Sequence, residues 1–264
     1  MGEIHHAVYG WVTPAVSYFV ACLGAFVALR ATRWALLSEG RTKRKWLLFA
    51  STSLGAGIWA MHFIAMLGFA VTGARIRYDV PLTVLSLVVA IVVVGLGILT
   101  VGYSENAVGA LLAGGAATGL GVAAMHYMGM AAVELPGHIH YDHLTVGGSV
   151  LIAVLAATAA LWAALNIRGT LAVLAAAPVM GVAVCAMHYT GMAAVSVSLS
   201  GGHEAPGGVR AVQIIFPLAV ALGCYVFFGS LAFAAAPSRP GAHQPVLVGP
   251  APQLVPRQRV VAGR

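Results

Sequence analysis

Seven apolar runs, at about residues 12–29, 46–71, 81–101, 107–133, 146–165, 171–195 and 211–236, constrain this chain more tightly than any other feature of it. Each has, or nearly has, the about 20 residues that a helix needs to cross a bilayer core. Hydrocarbon offers no water to backbone N–H and C=O groups, so a spanning segment must satisfy them internally, as a helix does. Composition agrees, with 60% of the 264 residues hydrophobic and 8% charged, against roughly 25% charged in soluble domains. The predicted fold is all-α: a seven-transmembrane helix bundle over residues 1–236. Beyond it Pro237, Pro240, Pro245, Pro250, Pro252 and Pro256 predict a disordered cytoplasmic tail, 237–264, with no room for a catalytic domain.

The basic residues orient the bundle. Arg30, Arg33, Arg41, Lys43, Arg44, Lys45, Arg168, Arg239, Arg257, Arg259 and Arg264 fall on one side of the spans, and Arg75, Arg77 and Arg210 on the other. The positive-inside rule makes the first group cytoplasmic, with the N-terminus outside and the C-terminus inside, in a multi-pass protein of the cytoplasmic membrane. The net charge of +7 therefore serves topology, and nucleic acid is set aside as a partner in favour of the lipid bilayer. Cys22, Cys185 and Cys224 are isolated within apolar runs, which argues against a disulfide framework. Glu3, His5 and His6 stand where a signal peptide would be basic, so the first span is expected to persist.

One string occurs three times: Met61-His62-Phe63-Ile64-Ala65-Met66, Met125-His126-Tyr127-Met128-Gly129-Met130 and Met187-His188-Tyr189-Thr190-Gly191-Met192, at spacings of 64 and 62 residues. This is an internal repeat. It predicts three parallel helix hairpins around an axis along the membrane normal, plus a seventh helix, with the motifs on the second, fourth and sixth spans. His62 lies sixteen residues beyond Trp46, or about 24 Å into a core of roughly 30 Å, which places the motifs just beneath the outer surface.

Each His and the Met four residues later (His62 with Met66, His126 with Met130, His188 with Met192) share a helix face. Met61, Met125 and Met187 are turned about 100° away and flank the site as weaker ligands. Imidazole with thioether, without carboxylate or thiolate, suits copper, and copper(I) above all. Tyr127 and Tyr189 can hydrogen-bond a cofactor or the imidazoles, whereas Phe63 cannot. A lone membrane His often only bonds a neighbouring helix, but three in one context point to function, because ionisable groups are costly in lipid.

Other readings compete with a copper site. Two of the histidines could hold haem as axial ligands, or the chain could move copper or protons. No ladder of polar residues runs toward the cytoplasm, and Glu39 and Glu105, the inner-side carboxylates, lie in loops. The only lysines, Lys43 and Lys45, are in a loop, which excludes a retinal Schiff base. No paired nucleophile and base and no phosphate loop is present, so the chain is read as no enzyme. Gly115 with Gly119 and the alanines of 153–164 read as packing surfaces, and Pro178 and Pro217 as kinks.

The threefold motif, near the outer ends of alternate helices, resembles that of the MHYT-domain family of bacterial integral membrane sensors, over residues 8–236. The resemblance implies copper held through Met61, His62, Met125, His126, Tyr127, Met187, His188 and Tyr189, and sensing of a diatomic gas such as oxygen, carbon monoxide or nitric oxide. Met66, Met130 and Met192 are added by the helical geometry alone. Phe63 and Ile64 depart from the motif's Tyr and Thr. Relatives of this kind are often joined to cyclic-dinucleotide enzymes or other output domains. This chain looks like a stand-alone form, whose sensing would require a separate signalling protein.

Overall fold

The computed structural model describes residues 3–5, 8–104, 107–167, 169–199 and 207–235. The predicted tail 237–264 lies outside them. Seven helices are each long and apolar enough to cross a membrane, as a multi-pass membrane protein requires: α1 (Val12–Leu36), α2 (Gly40–Met66), α3 (Val80–Tyr103), α4 (Ala107–Ala131), α5 (His143–Asn166), α6 (Thr170–Ala193) and α7 (Ala211–Ala235).

Their boundaries depart from the apolar runs for two reasons. α1 continues past Arg30 and Arg33 to Leu36, and α2 begins at Gly40, ahead of Arg41 to Lys45. Charge ends an apolar run without ending a helix, since a long basic side chain carries its head away from the core, as Arg30 does over the Phe26 ring at 6.0 Å. At the other end α2, α4 and α6 stop early because the following apolar residues enter strands. Sharp starts have local causes: Asp79 accepts a 2.6 Å hydrogen bond from the Leu82 N–H, and Asp142 one of 2.9 Å from the Thr145 N–H. Gly40 (φ +53°) and Gly169 (φ +96°) supply the left-handed turns ahead of α2 and α6.

Among the described residues six short strands pair two by two: β1 (Ile4–His5) with β2 (Ala70–Val71), β3 (Arg77–Tyr78) with β4 (Val133–Glu134), and β5 (Gly137–Tyr141) with β6 (Val195–Leu199), all antiparallel. Each pair joins the segment before an odd helix to the segment after the next even one. The repeat is thus β-α-α-β, its two helices following one another at the basic end and its strands clasped at the motif end. In each unit the carbonyl six residues past the histidine accepts a backbone bond from the segment before the odd helix: Gly68 from Val8 (3.0 Å), Ala132 from Asp79 (2.9 Å) and Ala194 from Asp142 (2.9 Å).

The hairpins close into a six-helix ring in which α1 packs on α2 and on α6. Glycine sets the closeness of these crossings. A β-carbon on Gly24 would lie 3.0 Å from the Gly57 Cα, and one on Gly55 2.8 Å from the Ile91 Cα. Gly115 and Gly119 likewise meet Thr158 and Val154 of α5. α7 sits outside the ring against α2 and α1, anchored by a 2.6 Å bond between the Tyr225 and Thr52 hydroxyls. Pro178 and Pro217 fall inside α6 and α7. Leu85, Val88, Val92 and Leu96 of α3 face outward, where the neighbour is lipid.

Candidate metal centre

α2, α4 and α6 run parallel, and each carries its motif in the last turns before its strand. His62, His126 and His188 consequently meet on the bundle axis, with 2% or less of their surface exposed. Their rings pack edge to face at centroid distances of 4.8, 5.0 and 5.2 Å. All three turn Nδ1 inward, at 3.0 Å (His62–His188), 3.1 Å (His126–His62) and 3.3 Å (His188–His126).

This triangle cannot be satisfied by hydrogen alone. A neutral Nδ1 either carries a hydrogen or presents a lone pair. Among three mutually touching nitrogens two must share a state, so one contact is donor against donor or lone pair against lone pair. A cation at the centre removes the conflict by drawing on three lone pairs. The centre lies about 1.8 Å from each corner, close to the roughly 2.0–2.1 Å of a metal–imidazole bond. The cluster could hold a metal ion, and no carboxylate or thiolate joins it among the described residues.

Two sets of residues fix the imidazoles, and both follow the repeat. On the far side of the rings, a β-carbon on Gly129 would lie 2.5 Å from His62 Nε2, and one on Gly191 2.5 Å from His126 Nε2. Each glycine therefore cradles the histidine of the preceding copy. Ala65 occupies the same position in the first copy. The Nε2 atoms of His62 and His126 are buried there with no hydrogen-bond partner among the described residues.

The second set is a tier of fully buried serines on the odd helices, Ser17, Ser86 and Ser149. Each donates to the carbonyl three residues back, at 2.9, 2.6 and 2.8 Å. Tyr127, edge to face with His126 at 4.8 Å, bonds Ser149 through its hydroxyl at 2.6 Å. Tyr189 holds His188 similarly at 4.9 Å and turns its hydroxyl toward Ser17, closing no good hydrogen bond among the described residues. Phe63 packs on His62 at 4.7 Å but has no hydroxyl, and the Trp59 N–H, one turn back, bonds Ser86 at 3.0 Å instead.

Of the other predicted site residues, Met61, Met66, Met125, Met130, Met187 and Met192 are all buried, at 3% exposure or less. Met66, Met130 and Met192 stand one turn beyond the histidines, toward the strand clasps. Met187 lines an apolar cavity on the opposite side of the triad, and Met130 the floor of a depression beneath β4 and β5. Gly129 and Gly191 stand inside the repeated string with no role of their own legible there, and Trp59 and the serine tier lie outside it. A signal existed, because the copies stay in register beyond the hexapeptide: serine follows Asp79 and Asp142 at seven residues, as it follows Gly10.

The family model described as the bacterial signalling protein N terminal repeat matches residues 55–114, 119–177 and 181–247, one triad histidine in each. The chain is 40% identical over 217 residues to the bifunctional diguanylate cyclase/cyclic di-GMP phosphodiesterase MucR of Pseudomonas aeruginosa, covering 78% of this chain and 32% of that protein. It is 36% identical to the cyclic di-GMP phosphodiesterase NbdA of the same species, covering 75% and 26%, and 30% identical to the signaling protein YkoW of Bacillus subtilis, covering 72% and 24%. The chain thus spans about a third or less of these relatives. No solved structure matches. Three in-register repeats, each delivering one histidine to a shared centre, and three matches of one family model place the chain in the MHYT family of bacterial signalling proteins.

Proposed function

We propose that this chain is a membrane-embedded sensory domain that holds one copper(I) ion at His62, His126 and His188. The observation that carries this reading is the inward Nδ1 triangle, which tautomers cannot satisfy and a cation can. When bound, copper supplies a soft Lewis-acidic centre. The donor set favours a monovalent ion, because three imidazoles bring no negative charge and the cost of burying an ion rises with the square of its charge. Structural zinc sites ordinarily draw on cysteine, and a zinc site of three imidazoles keeps a water in its fourth position. Met66, Met130 and Met192, buried one turn above the histidines, carry thioethers of the kind that can pass or cap such an ion. Tyr127 and Tyr189 act by holding the rings.

Haem fits this arrangement less well, since a macrocycle between two imidazoles would force apart nitrogens now 3.0 to 3.3 Å from each other. Transport through the axis is disfavoured by Ile58, Val122 and Val184, the apolar residues one turn below the three histidines. We place the motif end outside, from the distribution of basic residues. The similarity to MucR, NbdA and YkoW supports a role upstream of cyclic-di-GMP or comparable signalling, by an attached or separate partner, with a diatomic gas as the stimulus.

The test is elemental analysis and copper(I) titration of the purified protein beside a triple His62→Ala, His126→Ala, His188→Ala variant. One copper per chain, lost in the variant, is expected. Equal and near-zero copper in both would sink the proposal.

A further inference from the structure

Below the triad the axis is not filled. A cavity of about 40 Å³ is lined by Ile58, Val122 and Val184, and a turn deeper by Leu54, Thr118 and Met180. These are the positions four and eight residues before His62, His126 and His188, so the cavity lies on the face the histidines share. Met187, next to His188, forms part of its wall.

Its size and lining restrict what it can take. One water needs about 10–15 Å³ and two to four polar partners, whereas a cavity large enough for benzene is about 150 Å³. Among the described residues that line it the one polar side chain is Thr118, whose hydroxyl turns to the Val93 carbonyl at 3.4 Å. The space is too apolar for water and too small for a ring. A neutral molecule of two or three atoms fits it.

A thin wall separates the cavity from the membrane-facing surface. Ala156, Ala160, Met180 and Ala183 line both it and an open groove of about 450 Å³ between α5 and α6. That groove is walled further by Trp162 and Val179, 53% and 69% exposed on the lipid-facing surface. The alanines of α5, legible in the sequence only as a packing surface, here put no side chain longer than a methyl group between the two spaces on that helix. Small apolar molecules concentrate in hydrocarbon for the reason that they leave water.

We infer that the axial cavity is a binding site for a small apolar gas, which reaches the underside of the triad from the bilayer between α5 and α6. The cavity and the shared wall stand on their own; the passage through that wall is the inference, and its use at the triad rests on the metal reading above.

Two measurements separate these parts. Xenon applied to the protein in nanodiscs, without metal, should occupy one site beside Leu54 and Val122, seen by xenon NMR, and Val122→Phe should abolish it. An unfilled cavity in the unaltered protein overturns the inference. For the route, carbon monoxide association with the copper(I)-loaded protein should slow about tenfold in Ala160→Leu and in Ala156→Leu, but not in Ala117→Leu, on the lipid face of α4. Unchanged rates in both groove variants, with copper retained, overturn lateral access. A protein that takes up no copper removes the metal reading, and the xenon result still decides the cavity.

Discussion

The first copy of the motif and the other two present the same imidazole to the axis and support it differently. In the second and third copies a tyrosine braces the histidine and a glycine, Gly129 or Gly191, makes room for the histidine of the copy before. In the first, Phe63 replaces the tyrosine and Ala65 the glycine, and Trp59 supplies the hydrogen to Ser86 that a tyrosine hydroxyl would otherwise share. The centre demands identity because three equivalent nitrogens must converge on one point. The supporting layer demands only that a ring be held and a serine be met, which two different side chains can do.

Breaking the identity of the corners should have the largest effect. His126→Ala, His62→Ala and His188→Ala are each expected to reduce bound copper to background by elemental analysis. A single variant that keeps its copper would show that corner to be dispensable. Next comes the cradle. Gly129→Ala and Gly191→Ala push a β-carbon against an imidazole, and overpacking of about 1–3 kcal/mol should weaken copper(I) affinity by roughly ten- to a hundredfold in a chelator competition. Ala65→Gly should leave it unchanged or tighter, and only a tighter site would mark the first copy as the strained one.

Smaller effects come from the serine tier. Ser86→Ala strands the buried Trp59 N–H and should lower stability by about 1–3 kcal/mol, read as a loss in thermal midpoint. Tyr127→Phe removes one hydroxyl while Ser149 keeps its bond to the Val146 carbonyl, so about 0.5–1.5 kcal/mol is expected. Equal losses would mean that the tryptophan adds nothing particular to the first copy.

The smallest effect concerns Asp142, whose carboxyl is held below the usual carboxylate range by the Thr145 hydroxyl, then by the Thr145 backbone N–H. A depressed carboxylate contributes stability that is present above its unfolded value and is lost as pH falls through the folded one. Any loss of the α5 cap should therefore appear only in strong acid, and Asp142→Asn should flatten that part of the stability profile.

What was legible in the sequence follows from which constraints act on one segment at a time. Lipid tests each span separately, so seven helices could be read run by run. The histidines stood out because the motif recurs. Helix ends were displaced because hydropathy marks where charge begins, as at Arg30, and not where hydrogen bonding stops. The two-residue strands carry too little pattern to announce themselves, since their pairing depends on where the helices deliver them. Gly129 shows the deeper reason: it belongs to one copy and serves His62 of another, a relation invisible when each motif is read along its own helix.

The strand clasps have a consequence for how such a centre can change. Each β-α-α-β unit is clasped by its own ladder, and the three units meet around the axis. Three separate identical chains arranged this way would be bound by symmetry to carry every substitution at all corners together. Linked in one polypeptide, a single unit can exchange Tyr for Phe, or Gly for Ala, while its companions keep theirs. Unequal corners give a formally symmetric site a direction, so a molecule approaching from one side meets surroundings that differ from those on the other two.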